Sequence, residues 1–355
     1  MSRWFALFAV LALAWSPARA QDVEVAPGVY VVSGARERSV SFRMIVRAGC
    51  ADEAPTCLGL AHFLEHLVLT GRNAQHADQA LRFFADGASN GWTLHASTGF
   101  SHSFPAGEDA YERLDRLFAF YAARLGDFSA TPAEAERERA VVRQEHDWRV
   151  AANPYAPVWR QAARFFFGDH PLGRWPIGDP EAIALYSLDG ARDFHARWYR
   201  RPSVAFVVAG PVEAEAVGAI AARRLGEASA GEGRPPRDWL APPALPEETW
   251  TVAHSDPRIP DRATTWWKAV RLDEAFPDPV RQAALRWVAS EFLASRLAGS
   301  PNAELVDRQG LARLVRDAAV EIPMQGVALV SFTAAPGAEV GPQRLAAGVA
   351  AYVAD

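Results

Sequence analysis

The stretch HFLEH, residues 62–66, decides how this sequence is interpreted. On a helix, residues four apart lie on one face with Cβ atoms about 5–6 Å apart, so His62 and His66 can turn imidazole nitrogens toward one point. Glu65 lies near the same face. The order H-x-x-E-H is the inverted form of the H-E-x-x-H zinc motif. A histidine pair on a helix is ordinarily a surface or core feature, but the five-residue pattern favours a metal site.

A catalytic zinc takes three protein ligands and leaves one position for water, so a third ligand must come from another element. ERERAVVRQEH, residues 136–146, has the pattern of a helix whose start is marked by Thr131-Pro132 as N-cap and first helical residue. Glu138 and Glu145 are two helical turns apart on one face of it. Taken alone, these glutamates would be interpreted as a solvated face, but beside HFLEH they are candidates for the metal site.

Composition excludes several classes of protein. The chain has 355 residues and a formal net charge of −5, and 22% of its residues are charged. There is no basic run of the kind that binds nucleic acid. No apolar run reaches the roughly 20 residues that a membrane span needs. The length is sufficient for two domains of ordinary size.

The first 20 residues have the pattern of a secretory signal peptide. Arg3 precedes an apolar run from residue 5 to residue 15, and Ala18-Arg19-Ala20 is a small-residue cleavage site. An uncleaved anchor or a buried helix is the alternative. We therefore predict a periplasmic or secreted mature protein.

Two cysteines, Cys50 and Cys57, lie just before the HFLEH helix. In an oxidising compartment they could form a disulfide that closes a short loop. Two unpaired thiols are equally compatible with the sequence, because spacing alone does not establish the geometry of a disulfide.

Strand and helix patterns are mixed along the chain without a regular βαβ cadence, which favours an α+β fold over a doubly wound parallel sheet. Residues 28–48 are expected to form a hairpin or two paired strands. Residues 226–248 are rich in Gly, Pro and charge and contain the best linker candidate. The predicted divisions are a signal peptide (1–20), a first domain (21–228), a linker (229–248) and a second domain (249–355). Helices are expected at 58–70, 75–86, 108–126, 133–150, 154–166 and 188–199.

Several segments in the same order resemble the pitrilysin/insulinase family of inverted zinc peptidases, in particular its short bacterial members and the mitochondrial processing peptidase. They are AGCADEAPTCLGLAHFLEHLVLTG (48–71), ERERAVVRQE (136–145), GDHPLGRWPIG (168–178) and FHARWYRRPSVAFVVAG (194–210). The resemblance covers most of the mature chain. It implies two related two-layer domains, each a mainly antiparallel sheet covered by helices, with the second apparently shortened or incomplete.

The resemblance also implies a role for each motif residue. His62, His66 and Glu145 would bind one Zn²⁺, Glu65 would act as general base, and Glu138 would orient a ligand histidine. The implied activity is hydrolysis of short or unfolded peptides by a metal-activated water.

ASNGWT (88–93) resembles the family segment that precedes a substrate-binding edge strand. Asn90, Gly91 and Trp92 would then contact substrate, and residues 92–98 would pair with the peptide by strand addition. The family usually has Ala where this chain has Gly91.

One family feature is missing. The second half of the family normally carries an Arg and a Tyr in a segment like L-R-x-x-x-G-L-x-Y, and these stabilise substrate and the developing oxyanion. The matching segment here is LVDRQGLARLV (305–315), with Val306 in place of the Arg and Arg313 in place of the Tyr. We therefore predict that this chain is the zinc-bearing subunit of a heterodimer whose zinc-free homologue supplies the pair.

Two other interpretations stay open at this stage. A catalytically inactive, core-type subunit of the same family would explain the missing Arg/Tyr pair. An enzyme of the S-ribosylhomocysteinase type shares an H-x-x-E-H helix, but the chain length, the signal peptide and the second glutamate helix argue against it.

Overall fold

The computed structural model describes most of the chain between residue 22 and residue 354. The predicted signal peptide, the helix expected at 75–86 and most of the predicted linker lie outside the described residues. Among those that are described, no helix has the length and apolarity needed to cross a bilayer. The described residues are 22–34, 37–53, 58–70, 88–226, 237, 244–246, 250–254, 258, 263–271, 278–324 and 327–354.

A mainly antiparallel sheet organises the first half of the chain. Its strand order in the described residues is β1-β2-β6-β3-β5-β4, and β2 and β6 form the one parallel pair. The strands are β1 (Asp22–Ala26), β2 (Val29–Ser33), β3 (Ser39–Val46), β4 (Ala88–Thr93), β5 (Thr98–Pro105) and β6 (Val204–Gly210).

The prediction that residues 28–48 form a hairpin or a directly paired set of strands is wrong. β2 and β3 are consecutive in the chain, but β6 lies between them, parallel to β2 and antiparallel to β3. The two strands have the alternating pattern and the short connection that a hairpin requires. Which strand becomes their neighbour depends on the packing of residues about 170 positions away, and the local pattern carries no information about that choice.

Alternation along β3 determines which face of this sheet is covered. Val40, Phe42, Met44 and Val46 are completely buried, whereas Ser39 and Arg43 are exposed. Side chains alternate between the two faces of a strand, so these four residues share one face. The ring of Phe42 meets that of Phe118, on a covering helix, edge to face with centroids 5.1 Å apart.

The helices of the first half largely follow the expected segments. The N-cap prediction at Thr131 is confirmed: its hydroxyl accepts a hydrogen bond from the Glu134 backbone N–H, and Pro132 is the first helical residue. A π-helical turn, Asp147–Ala151, extends the helix that begins there. The helices are α1 (Leu60–Thr70), α2 (Ala110–Gly126), α3 (Pro132–His146), α4 (Ala156–Phe167), α5 (Pro180–Ile183), α6 (Leu188–Trp198) and α7 (Ala214–Leu225).

A second, antiparallel sheet has the strand order β7-β8-β10-β9 in the described residues. Its apolar side chains pack on the last helix, for example Phe332 with Leu345 and Val349. The elements are β7 (Trp250–His254), β8 (Ala263–Arg271), α8 (Pro279–Ala294), a π-helical turn (Asn302–Arg308), β9 (Ala312–Met324), β10 (Val327–Pro336) and α9 (Pro342–Ala354).

The second sheet contacts the first half through α4. Phe166 and Phe167 of that helix share an apolar cluster with Trp267 of β8 and Val327 of β10. The predicted fold class, an α+β protein with helices layered on two mainly antiparallel sheets, is confirmed. The domain boundaries at 228 and 249 stay a prediction.

Candidate metal centre

The helix that carries HFLEH, α1, is buried on nearly all sides. His62 and Glu65 are only 7% and 4% exposed, so even its polar stripe is shielded from bulk water. Such complete burial means that packing holds the helix in one orientation and gives its polar side chains a defined direction. The apolar residues that are completely buried are Phe63, Leu64, Leu67 and Val68.

Glu53 holds the N-terminus of α1. Its two carboxylate oxygens accept hydrogen bonds from the backbone N–H groups of Gly59, at 2.6 Å, and Ala61, at 2.9 Å. Burial raises the pKa of Glu53 to about 8, against the opposing effect of these hydrogen bonds. The sequence analysis did not identify this residue, because it lies several positions before the helix and outside the usual spacing of a capping side chain.

His62, His66 and Glu145 come together between α1 and α3. Oε2 of Glu145 lies 3.5 Å from Nε2 of His62 and 3.2 Å from Nε2 of His66. One ligand atom from each residue lies within 4.8 Å of the other two. The two helices therefore bring to one point the three side chains that the sequence analysis selected as metal ligands.

The chemistry of this group fits zinc. Two imidazole nitrogens and one carboxylate oxygen form a donor set found in catalytic zinc sites, where a fourth position is left for water or substrate. The side chains of His62, His66 and Glu145 are 9%, 17% and 17% exposed, so the three candidate ligands are largely shielded from solvent without being completely buried. His62 and His66 would hold the metal through Nε2, and Glu145 would hold it through Oε2.

Glu138 contacts the His66 ring at Nδ1, the nitrogen that does not face Glu145. Its Oε2 lies 3.3 Å from Nδ1 of that ring, so Nδ1–H donates to Glu138 while Nε2 faces Glu145. When His66 is neutral, this arrangement favours the tautomer protonated at Nδ1, as carboxylates beside metal-binding histidines commonly do. The predicted orienting residue thus lies against the predicted ligand, and its role stays a prediction.

The two histidines differ in their electrostatics. Burial, with a smaller contribution from the neighbouring His66, lowers the pKa of His62 to about 4. Burial also lowers the pKa of His66, but hydrogen bonds to Glu138 and Glu145 outweigh it and raise that pKa to about 9. A protonated imidazole cannot bind a metal, so metal binding must be accompanied by release of the His66 proton.

Glu65 is the titratable group next to the candidate ligands on α1. The Thr93 hydroxyl donates a hydrogen bond to its Oε2 at 2.7 Å. Burial raises the pKa of Glu65 to about 7, and the hydrogen bond from Thr93 opposes this shift. The sequence analysis did not single out Thr93; its place in a strand beside ASNGW was the available signal.

Gly91 lies directly against Glu65. A Cβ added at residue 91 would lie 2.3 Å from Oε1 of Glu65 and 2.8 Å from Cδ1 of Leu69. The observed position of the Glu65 carboxylate therefore depends on the absence of a side chain here. The departure from the Ala that is usual in the family is thus coupled to the position of the predicted general base.

The segment predicted to bind substrate forms an edge of the first sheet. Among the described residues, β4 pairs only with β5. Asn90 is exposed, while Trp92 is half-buried and its ring lies over Gly99 on β5. Trp92 therefore lies on the edge strand β4, and its ring also packs on the neighbouring strand β5.

The prediction that residues 92–98 pair with a peptide is wrong in its range. Thr98 pairs on one side with Thr93 and on the other with Val46, so it is interior to the sheet. The residues between Thr93 and Thr98 connect β4 to β5 and are not a strand. Within the described part of the chain, the free edge is Ala88–Thr93, because a strand can accept a partner only on a side where its backbone groups are unpaired.

The Cys50 side chain is buried. Burial raises the pKa of its thiol well above the ordinary value, so the group stays protonated at neutral pH. Cys57 lies outside the described residues, and the disulfide stays a prediction.

Residues 305–315, the segment that matches the family's Arg/Tyr segment, are partly packed into the second half of the chain. Val306 packs on the apolar cluster around Leu305. Arg308 lies in an ion pair with Glu304, with Nε 3.0 Å from the carboxylate. Arg313 is an exposed residue of β9. The residue in the Arg position is therefore part of the packing of this half.

The fold and the site together define a class: an α+β protein in which an inverted His-x-x-Glu-His helix faces a glutamate-bearing helix. Residues 29–169 match the family model described as Insulinase (Peptidase family M16). The chain is also 26% identical over 212 residues to the probable zinc protease PqqL of Escherichia coli, covering 56% of this chain and 22% of PqqL. The resemblance to the insulinase family seen in the sequence is confirmed over this part of the chain.

Solved structures share the fold. A protease from Helicobacter pylori superposes with a TM-score of 0.71 at 20% identity, over 94% of this chain and 78% of that protein. A peptidase M16 inactive domain from Pseudomonas fluorescens gives a TM-score of 0.69 at 18% identity, over 95% and 80%. The E. coli relative PqqL is described as a periplasmic protease. The chain spans about a fifth of the length of the PqqL relatives that it matches.

Proposed function

We propose that this chain is a zinc-dependent endopeptidase that hydrolyses short or unfolded peptides. The observation that carries the proposal is the convergence of His62, His66 and Glu145, with donor atoms within 4.8 Å of one another, next to a buried glutamate on the same helix. One Zn²⁺ per chain would be held by these three residues. The match of residues 29–169 to the insulinase family model, and relatives named zinc proteases, support this assignment.

Bound zinc would polarise the scissile carbonyl and make an attacking water more acidic. Glu65 would accept the proton of that water and deliver it to the leaving nitrogen. Its burial supports this role, because burial brings its pKa to about 7, near the value that suits proton transfer in both directions. Thr93 would fix the direction of the carboxylate, and Glu138 would keep Nε2 of His66 free to bind the metal.

The free edge of β4 would bind the substrate backbone. An extended peptide that pairs with Ala88–Thr93 would run past Glu65, because Gly91 and Thr93 of this strand both contact that glutamate. Backbone pairing of this kind recognises an extended chain rather than a particular sequence. Asn90, Gly91 and Trp92 would contact the peptide, and short or unfolded chains would be preferred over folded proteins.

The chain would act as the zinc-bearing subunit of a heterodimer. Val306 occupies the position of the family Arg and packs on an apolar cluster, which supports a partner as the source of the Arg/Tyr pair. Co-purification and measurement of the molar mass of the native complex test this part. A peptidase that is fully active as a monomer would contradict it.

Residues 1–20, with their signal-peptide pattern, support a periplasmic or secreted location, as does the description of the relative PqqL as periplasmic. We propose the domain division made from the sequence, a zinc-bearing domain at 21–228 and a second, non-metal domain at 249–355. A catalytically inactive subunit of the same family is the second candidate. The missing Arg/Tyr pair and the likeness to an inactive M16 domain favour it.

The test is hydrolysis of a quenched fluorescent peptide library by the purified chain with one equivalent of Zn²⁺, alone and together with any co-purifying subunit. Glu65→Gln removes the proton acceptor and should abolish turnover while zinc stays bound. Glu215→Gln makes the same chemical change at an exposed residue of α7 and should leave turnover intact. Turnover that survives in Glu65→Gln would refute the role of Glu65. Stoichiometric zinc without turnover, alone and with any co-purifying subunit, would favour the inactive subunit.

A further inference from the structure

The two oxygens of the Glu145 carboxylate have different partners. Oε2 faces the imidazoles of His62 and His66, at 3.5 and 3.2 Å. Oε1 faces the guanidinium of Arg149, whose Nε lies 3.0 Å away. One oxygen is thus directed into the candidate metal site and the other is paired with a cation outside it.

Arg149 reaches Glu145 because the chain stays helical past the end of α3. The residue belongs to the π-helical turn Asp147–Ala151, which continues α3 directly and places Arg149 one turn beyond Glu145. Its side chain is 62% exposed, whereas that of Glu145 is 17% exposed. An exposed pair at this spacing contributes little to stability, so its main effect is on the direction of the carboxylate.

We propose that Arg149 is a positioning residue that acts through Glu145. By holding Oε1, it keeps Oε2 directed at the two imidazoles, so that Glu145 binds the metal through a single oxygen. This inference rests on the proposed metal site. It concerns a residue that lies outside the H-x-x-E-H motif and outside the glutamate pair of α3.

Two physical effects of Arg149 on metal affinity have opposite signs. A cation close to a divalent metal repels it, so removal of the guanidinium alone would tighten binding. Loss of the contact to Oε1 frees the carboxylate to rotate, and loss of a partner that orients a metal ligand typically weakens binding 10–100-fold. The proposal states that the second effect is the larger, and the sign of the measured change decides between them.

The experiment measures Zn²⁺ affinity of the full chain by competition with a chromophoric chelator at constant pH. The Co²⁺-substituted protein provides a visible spectrum that reports the coordination geometry. Arg149→Met removes the guanidinium and keeps an unbranched apolar side chain, and Arg149→Lys keeps a cation within reach of Glu145. The matched control is Arg143→Met, an exposed arginine of α3 two residues before Glu145 for which no ion pair is found among the described residues.

Arg149→Met should weaken Zn²⁺ binding by about ten-fold or more and change the Co²⁺ spectrum, with thermal stability of the metal-free chain unchanged. Arg149→Lys should restore most of the affinity, and Arg143→Met should match the wild type. Equal or tighter binding by Arg149→Met would overturn the proposal. A wild-type chain that binds no zinc would overturn both this inference and the proposed function. A chain that binds zinc but cleaves no peptide, either alone or with any co-purifying subunit, would contradict the proposed function only, because the affinities still decide the role of Arg149.

Discussion

The hydrogen bond from Thr93 to Glu65 offers a direct test of how the edge strand positions the proposed general base. Thr93→Val replaces the hydroxyl with a methyl group of nearly the same size. Both partners are less than 10% exposed, and their oxygens are 2.7 Å apart. The substitution leaves a buried carboxylate oxygen without its donor, and a hydrogen bond to a charged group typically contributes about 1.5–3 kcal/mol.

Two measurements should respond. The free energy of unfolding of the metal-free chain, measured with urea, should fall by about 1.5–3 kcal/mol. If the same interaction holds Glu65 in its reactive position, kcat should fall about ten-fold or more, since each 1.36 kcal/mol of barrier is about a factor of ten. KM should change less, because the substitution alters a side chain that contacts Glu65 and leaves the backbone of β4, which would pair with the peptide, unchanged.

The chain contains a matched control directly across the strand pair. Thr98 pairs with Thr93 and donates its hydroxyl to the Ala48 carbonyl oxygen at 2.9 Å, completely buried. Thr98→Val should lower stability by about 1 kcal/mol, the usual contribution of a neutral hydrogen bond, with kcat unchanged. Equal values of kcat for the two variants would refute the argument that Thr93 positions Glu65.

Two further predictions concern the stability of the site and of the first sheet. Glu53→Ala leaves the backbone N–H groups of Gly59 and Ala61 unpaired at the buried start of α1 and should lower the free energy of unfolding by about 1–3 kcal/mol; an unchanged urea midpoint would contradict the capping role. Burial lowers the pKa of His102 from 6.5 to about 4, so between these pH values the unfolded chain binds a proton that the folded chain does not, and stability falls as the pH falls through this window. His102→Gln should reduce the number of protons taken up on unfolding in this pH window by up to about one, which lowers the slope of the unfolding free energy against pH. Identical slopes for variant and wild type would refute this assignment.

Several features of the site could be predicted from local sequence alone. The spacing of His62 and His66 and that of Glu138 and Glu145 place each pair on one face of a helix. Thr131-Pro132 marks the start of α3, the helix that carries the two glutamates, and that start is confirmed. These predictions succeed because helical periodicity and capping depend on residues within a few positions of one another.

The partners of these residues were harder to predict. Thr93 and Arg149 contact the site residues Glu65 and Glu145, and Glu53 contacts the backbone at the start of α1. Of the three, only Arg149 is at a helical spacing from its partner. Arg149 was overlooked because its contact requires the helix to continue through a π-helical turn. Thr93 was overlooked because a strand residue contacts a helix residue only after both have packed in the core.

By itself, the sequence determined which residues are available for metal chemistry, on which helix faces they lie, and the α+β class with its family resemblance. Only the tertiary structure decided that α1 and α3 lie close enough for the three donor atoms to converge. It also decided that β6 separates β2 from β3 and that, of the strands described, the free edge is Ala88–Thr93 and not 92–98. The physical reason is the range of the interactions. Helical faces follow from backbone geometry over a few residues, whereas strand order and the meeting of two helices follow from the burial of apolar surface contributed by distant parts of the chain.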